Sequence, residues 1–357
     1  MKPIPLLLAA ATLMAPGLGS QTQTPKLFLI PNPNPGPIAN NYPFAGPIMR
    51  YQQWYAPGEW KAMGAPQHPV RVRDLEFRAG SPGGQAGATV DMELAIANGP
   101  EFAPSQVFES NLVAGRVTAP RTVRTLGTAT PGSYPMKVTL PSDFVWDGVS
   151  GVVVDVKIWG NGRGNQPFNF DLEATASASG RLTRLYTVNN PSATFADQFQ
   201  PGWGVTTRFT YYEGVTLPYA QGCPGAGNFV PVASTGGGLP LPGNANWAHV
   251  VTRAASQRPA ALVLGSSNQT WGQVQLPLDL AIIGANGCWL VAEPLIALSA
   301  MTVGGGAGAG QATVPVPIPP VTIFIGQSLY TQWFVGDPLA ANGLLSASGG
   351  LWTIAGG

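Results

Sequence analysis

Three pairs of acidic residues stand two positions apart in the chain: Asp74 with Glu76, Asp91 with Glu93, and Asp171 with Glu173. On a strand, side chains i and i+2 share a face. Each pair therefore sets two carboxylates side by side, the raw material for acid–base attack on a glycosidic bond. The same spacing also describes the solvated side of a half-buried strand, and nothing in the residue order brings two pairs to one cleft. The remaining catalytic vocabulary is thin. His68, in QHPV, precedes a proline and reads as a loop residue, whereas His249 alternates with Trp247 and Val251 and reads as packed on a strand face. There is no GxSxG elbow, and Ser266 in LGSSN lacks the flanking glycines that such an elbow needs. A glycoside hydrolase is the outside possibility, and no catalytic residue is assigned.

Metal chemistry is equally short of ligands. Two cysteines and two histidines form no CxxC, HxxxH or HExxH. Calcium needs clustered oxygen ligands, and GNGRGNQPFNFD, residues 160–171, offers Asn161, Asn165, Asn169 and Asp171. That is one carboxylate, with Arg163 opposing a cation, so a Gly/Asn turn is the better account. No metal and no cofactor is expected.

The N-terminus speaks for export. Lys2, an apolar run from Ile4 to Met14 and the small residues of GLGS have the order of a secretory signal peptide, with cleavage expected after Gly19 or Ser20. The run is too short to span ~30 Å of hydrocarbon. The absence of a cysteine near the cleavage point argues against a lipoprotein anchor, and LWTIAGG at the end offers no apolar tail. An oxidising compartment favours pairing of Cys223, in QGCPGAG, with Cys288, in NGCWL. Such a bridge would stabilise by about 4 kcal/mol on the chain-entropy model. Two separate buried thiols are the alternative.

The stretch YPFAGPIMRYQQWYAPGEW, residues 42–60, concentrates aromatic rings. Tyr51, Trp54, Tyr55 and Trp60, if exposed together, would make a platform for sugar faces, with Gln52 and Gln53 bonding hydroxyls. Because Tyr51 and Tyr55 alternate with Trp54, one set is expected to face inward. Packing of most of the rings in a core is the reading preferred here, since large exposed aromatic patches are uncommon.

These residues must be positioned by strands. In ATVDMELAIAN the residues Val90, Met92, Leu94 and Ile96 share one face, and GVVVDVKIWG repeats the period with Val152, Val154, Val156 and Ile158. No segment keeps helical spacing over three turns. Charged residues make up only 10% of the chain, and Gly 46 and Pro 36 separate short apolar runs. The net charge of +1 argues against nucleic acid or an acidic membrane surface as partner. Residues 215–357 carry just Arg253, Arg258, Asp279, Glu293 and Asp337, which marks a boundary. The expected class is all-β, with two β-sandwich domains, jelly-roll or Ig-like, in tandem. The expected organisation is a signal peptide over 1–20, an extended lead-in over 21–40, a first sandwich over 41–215, a linker over 216–222 and a disulfide-bearing sandwich over 223–357. In VPVPIPP, Pro315, Pro317 and Pro319 remove donors from one edge of a strand, which should then pair on one side only.

RYQQWY (50–55), GVVVDVKIWG (151–160), QGCPGAG (221–227), WGQVQLPLDLAIIGANGC (271–288) and LYTQWFVGDP (329–338) resemble segments of two-part secreted proteins of planctomycete-type bacteria. In the second domain a GC, an LPLDL run, a second GC and a late YxQWxxxDP recur in order. The resemblance implies an extracellular β architecture and carries no agreed catalytic residues. The expectation is a secreted, non-catalytic β protein of the cell surface or matrix, structural or adhesive, that binds surface glycan or other copies of itself, with no membrane insertion after signal cleavage. The alternative is a carbohydrate-binding module.

Overall fold

The computed structural model describes residues 23–31, 40, 42–44, 46–62, 64–66, 68–84, 86–162, 168–170, 172–174 and 181–357. The expected signal segment, and Asn165 and Asp171 of the candidate calcium loop, lie outside them. The protein is all-β and its main sheets are antiparallel throughout.

In the first half a six-stranded sheet runs in the order Gln198–Pro201, Leu182–Val188, Met49–Tyr55, Gly151–Gly162, Thr89–Gly99, Ala114–Thr125. A four-stranded sheet runs Lys26–Ile30, Thr207–Tyr212, Val70–Phe77, Met136–Trp146. The period-two runs decide what lies between them. Val90, Met92, Leu94 and Ile96 from one sheet, and Val72, Leu75 and Val138 from the other, all belong to one buried cluster. The strand Lys26–Ile30 corrects the expected lead-in. It pairs with Thr207–Tyr212, Lys26 opposite Tyr211 and Ile30 opposite Thr207. Its Phe28 is buried against Trp60 and Phe209, at ring separations of 4.4 and 5.1 Å.

In the second half a five-stranded sheet runs Val215–Tyr219, Leu345–Ile354, Ser328–Gly336, Pro259–Gly265, Ile296–Met301. A three-stranded sheet runs Val232–Gly236, Ala248–Ala254, Gly310–Pro315. Leu262, Trp333 and Val335 of the first meet Val251 and Ala312 of the second in a separate core. No sheet among the described residues draws strands from both halves. The expected linker is corrected here too. Val215–Tyr219 is an edge strand paired with Leu345–Ile354, so the connection is Glu213 and Gly214. Arg71 pins it, donating from Nε to the Gly214 carbonyl at 2.9 Å, while Lys26 meets the Glu213 carboxylate at 2.6 Å.

The proline strand behaves as its sequence requires. Gly310–Pro315 is the outer strand of its sheet. The N–H groups of Val316 and Ile318 donate inward, to the carbonyls of Trp247 at 2.9 Å and Asn244 at 3.1 Å. Pro315, Pro317 and Pro319 alternate with them and are exposed.

Candidate functional site

Burial decides between the two readings of the rings at residues 51–60: they are packed, and the alternative of a sugar platform there is excluded. Tyr51, Trp54, Tyr55 and Trp60 are all buried. The cause is coverage on both faces of Met49–Tyr55, a central strand of the six-stranded sheet. Inward, Tyr51 and Tyr55 enter the sandwich core, where Trp60, on the short helix Pro57–Ala62, stacks on Trp146 at 5.0 Å. Burial also pushes the pKa of both tyrosines up. Outward, Arg50, Gln52 and Trp54 lie under the segments around Phe108 and Ala193. Trp54 packs on Ala56 and Val153 and donates from its indole to the Pro100 carbonyl at 3.0 Å. Arg50 grips Asp155 through two bonds of 3.1 and 2.8 Å, Glu109 at 2.6 Å and the Ala193 carbonyl at 2.8 Å. Gln52 donates to the Phe108 carbonyl at 2.9 Å rather than to a ligand. Strand alternation alone could not disclose this second covering layer.

Two of the three acidic pairs are occupied, and Asp171 of the third lies outside the described residues. Asp74 meets Lys137 at 3.0 Å, Glu76 takes two bonds of 2.9 Å from Arg208, Asp91 meets Arg121 at 2.6 Å and Glu93 meets Lys157 at 2.9 Å. The hydrogen bond from Arg121 holds the Asp91 carboxyl below the usual range. Each of these four acids serves a cross-strand ion pair. Among the described residues no three His, Cys, Asp or Glu gather as a metal site, and no helix is long and apolar enough to cross a membrane. A cleft of about 220 Å³ in the second half is bordered by Arg258, Gly305, Asp337 and Leu339. Its carboxylate is committed to the backbone N–H groups of Ala226, at 2.7 Å, and Leu339, at 3.1 Å.

The most distinctive surface is built around the disulfide. Cys223 and Cys288 are bonded, with Cα atoms 5.0 Å apart and a sequence separation of 65. The glycine before each cysteine has its own cause. A Cβ on Gly222 would lie 2.3 Å from the Ala347 carbonyl oxygen, and Gly287 holds φ at +79°. The bridge staples an excursion, residues 266–295, that separates two directly paired strands, Pro259–Gly265 and Ile296–Met301. Its base closes where Glu293 N–H donates to the Ser267 carbonyl at 2.9 Å.

Two small ladders shape the excursion: Thr270–Trp271 against Val274–Gln275, and Leu278–Asp279 against Trp289–Leu290. A turn of 3₁₀ helix, Leu280–Ile283, follows Asp279, whose carboxylate accepts the Ala281 N–H at 2.9 Å. Leu276, Leu280, Ala285 and Leu290 pack with the disulfide into a small core. Gln332, missed in the sequence, clamps the excursion from the sheet: its amide donates to the Trp289 carbonyl at 2.9 Å and its oxygen accepts the Val291 N–H at 2.9 Å. What remains outside is uncharged, a mixture of amide and apolar side chains. Ile282 is 74% exposed and Ile283 57%, and Trp271, Val274 and Trp289 are exposed beside them in sequence. The charged groups of the excursion are Asp279, used as a helix cap, and Glu293, whose carboxylate accepts from the Ser266 hydroxyl at 3.0 Å. Such a surface can make contact.

No protein-family model and no curated protein matches the chain. Among solved structures it is similar, at 7% identity and a TM-score of 0.16, to a β-glucuronidase of Parabacteroides merdae crystallised with glycerol in its active site. The alignment covers 92% of this chain and 27% of that one, so the chain spans about a quarter of the enzyme's length. A likeness this slight assigns neither fold nor activity.

Proposed function

We propose that the protein is exported and non-catalytic, a structural or adhesive component of the cell surface or extracellular matrix that works by surface contact. The observation that carries this reading is the stapled excursion, which holds Ile282, Ile283, Trp271 and Trp289 exposed in a half with five charged residues. Exposed apolar groups gathered on one element mark a contact site, and a disulfide with its own small core keeps them in one arrangement. The disulfide also fits an oxidising compartment. Cosedimentation of the mature protein with cell-envelope fractions tests the proposal. Wild type should pellet with the envelope, and Ile282→Ser with Ile283→Ser should remain in the supernatant while still folded. Equal retention of both proteins would defeat it.

A second reading, glycan binding, keeps a foothold in Trp271 and Trp289. Both indoles are exposed, and Asn268, Gln269, Gln273 and Gln275 supply uncharged amides nearby in sequence. A glycan array separates the two: signal lost in Trp271→Ala and kept in the isoleucine variant would favour sugar.

A further inference from the structure

Among the described residues, proline guards the outer strands of the four larger sheets with one exception. In the first half the four outer strands contain or directly abut Pro31, Pro120, Pro141 and Pro201. In the second half Val215–Tyr219 contains Pro218, Val232–Gly236 follows Pro231, and Gly310–Pro315 ends in proline. Proline on an outer strand discourages addition of a further strand. The remaining outer strand, Ile296–Met301, reads IALSAM. It has no proline and no charge, and Pro294 stands two residues ahead of it.

The register shows which of its groups are open. Among the described residues Ile296–Met301 pairs only with Pro259–Gly265, Ala300 opposite Ala260 and Leu298 opposite Leu262. Thr302 N–H donates to the Arg258 carbonyl at 2.9 Å, so Ala300, Leu298 and Ile296, in phase with it, also turn their backbone groups to that neighbour. Ala297, Ser299 and Met301 turn theirs outward, and all three residues are exposed. One step further, Val303 and Gln311 exchange bonds of 2.8 and 2.9 Å. Continuing that pairing would set Met301 against Thr313, Ser299 against Pro315 and Ala297 against Pro317. Two of those three partners lack an N–H, so the prolines stop the edge from zipping onto its own chain and leave it open.

We infer that Ile296–Met301 is a strand-addition site whose occupant is the same strand of a second copy, paired antiparallel about a two-fold axis. An antiparallel edge is complementary to itself, since each outward N–H meets an outward carbonyl of the other copy. The strand is uncharged and lies in a half with five charged residues, so like-charge repulsion does not hold copies apart. With one unguarded outer strand in the four larger sheets among the described residues, the pairing closes as a dimer and does not propagate. The inference deepens the contact reading above and rests on it for its biological sense. The two fail separately, because dimerisation and envelope binding are different measurements.

Sedimentation velocity of the mature chain over a concentration series, with hydrogen exchange at single-residue resolution, tests it. The expected result is a dimer whose Ala297 and Ser299 amides gain at least tenfold protection as it forms. Ser299→Pro and, independently, Ala297→Lys should both be folded monomers. A wild type that stays monomeric at the highest concentration reached, or a dimer that survives in both variants, overturns it. So does a monomer whose edge amides become protected only when envelope material is added, because the occupant is then a foreign strand.

Discussion

His249 ties the fold's stability to pH. It is 0% exposed, its Nδ1 lies 3.4 Å from the Thr331 hydroxyl, Trp247 meets it edge-on at 4.6 Å, and its Nε2 has no hydrogen-bond partner among the described residues. Burial depresses its pKa from 6.5 to about 4. The unfolded chain takes up the proton below pH 6.5 and the folded chain does not, so this contribution is whole above 6.5 and is lost as the pH falls toward 4, about 3 kcal/mol in all. Urea unfolding of wild type and His249→Phe at pH 7.5 and 4.5 checks this: the variant should lose the smaller amount on acidification, and equal losses would contradict it. Glu109, held low by the hydrogen bond from Arg50, acts in a lower window, stabilising above its unfolded pKa and failing as the pH drops through its folded one. Arg50→Met tests the buried pair itself. Asp155 would be left buried without its cation, at a cost of about 3–5 kcal/mol. A loss below about 1 kcal/mol in denaturant unfolding would show that the pair matters little. At this scale the sequence was legible in kind but not in company. The alternation through Asp91 and Glu93 announces strands, yet Arg121 and Lys157, which occupy those acids, lie far away in the chain. Alternation foresaw one ring set facing inward, but not that Trp54 on the other face lies under a second covering layer.

At the scale of elements, the cysteine pair and the proline run were legible because each is a local chemical rule. A bridge needs two thiols in an oxidising compartment, and proline lacks a donor wherever it stands. The excursion they frame was not legible, since 266–295 has no long periodic run and is held by long-range partners such as Gln332 and Ala347. Likewise Lys26–Ile30 and Val215–Tyr219 hide in stretches that read as connectors, because an edge strand needs only one neighbour. Removing the bridge with Cys223→Ala and Cys288→Ala should lower stability by about 4 kcal/mol. Hydrogen exchange should show protection lost across 267–292 and kept in Thr89–Gly99; loss spread evenly over the chain would contradict a local staple. Replacing Pro315 and Pro317 by threonine restores donors facing Ser299 and Ala297. Those amides should then be protected in the monomer and self-association should weaken, whereas unchanged exchange would mean that the prolines do not hold the seam open.

For the whole molecule, the charge map was the clearest signal in the sequence. Five charged residues in 215–357 set that half apart, and the sheets divide within a few residues of the same point. What composition could not convey is where the apolar surface of that half is concentrated, because exposure follows from which residues the small core around Cys288 leaves outside. Contact through Ile282 and Ile283 has a physical signature. A surface without charge gains little from electrostatic attraction, so its binding should not fall as ions screen the solution. The most direct test is a salt series of envelope cosedimentation with the mature protein. Retention should hold or rise from low to high salt and vanish in the Ile282→Ser, Ile283→Ser variant at every salt concentration. Retention that disappears as salt is added, or that survives the variant, would contradict attachment through the stapled apolar surface.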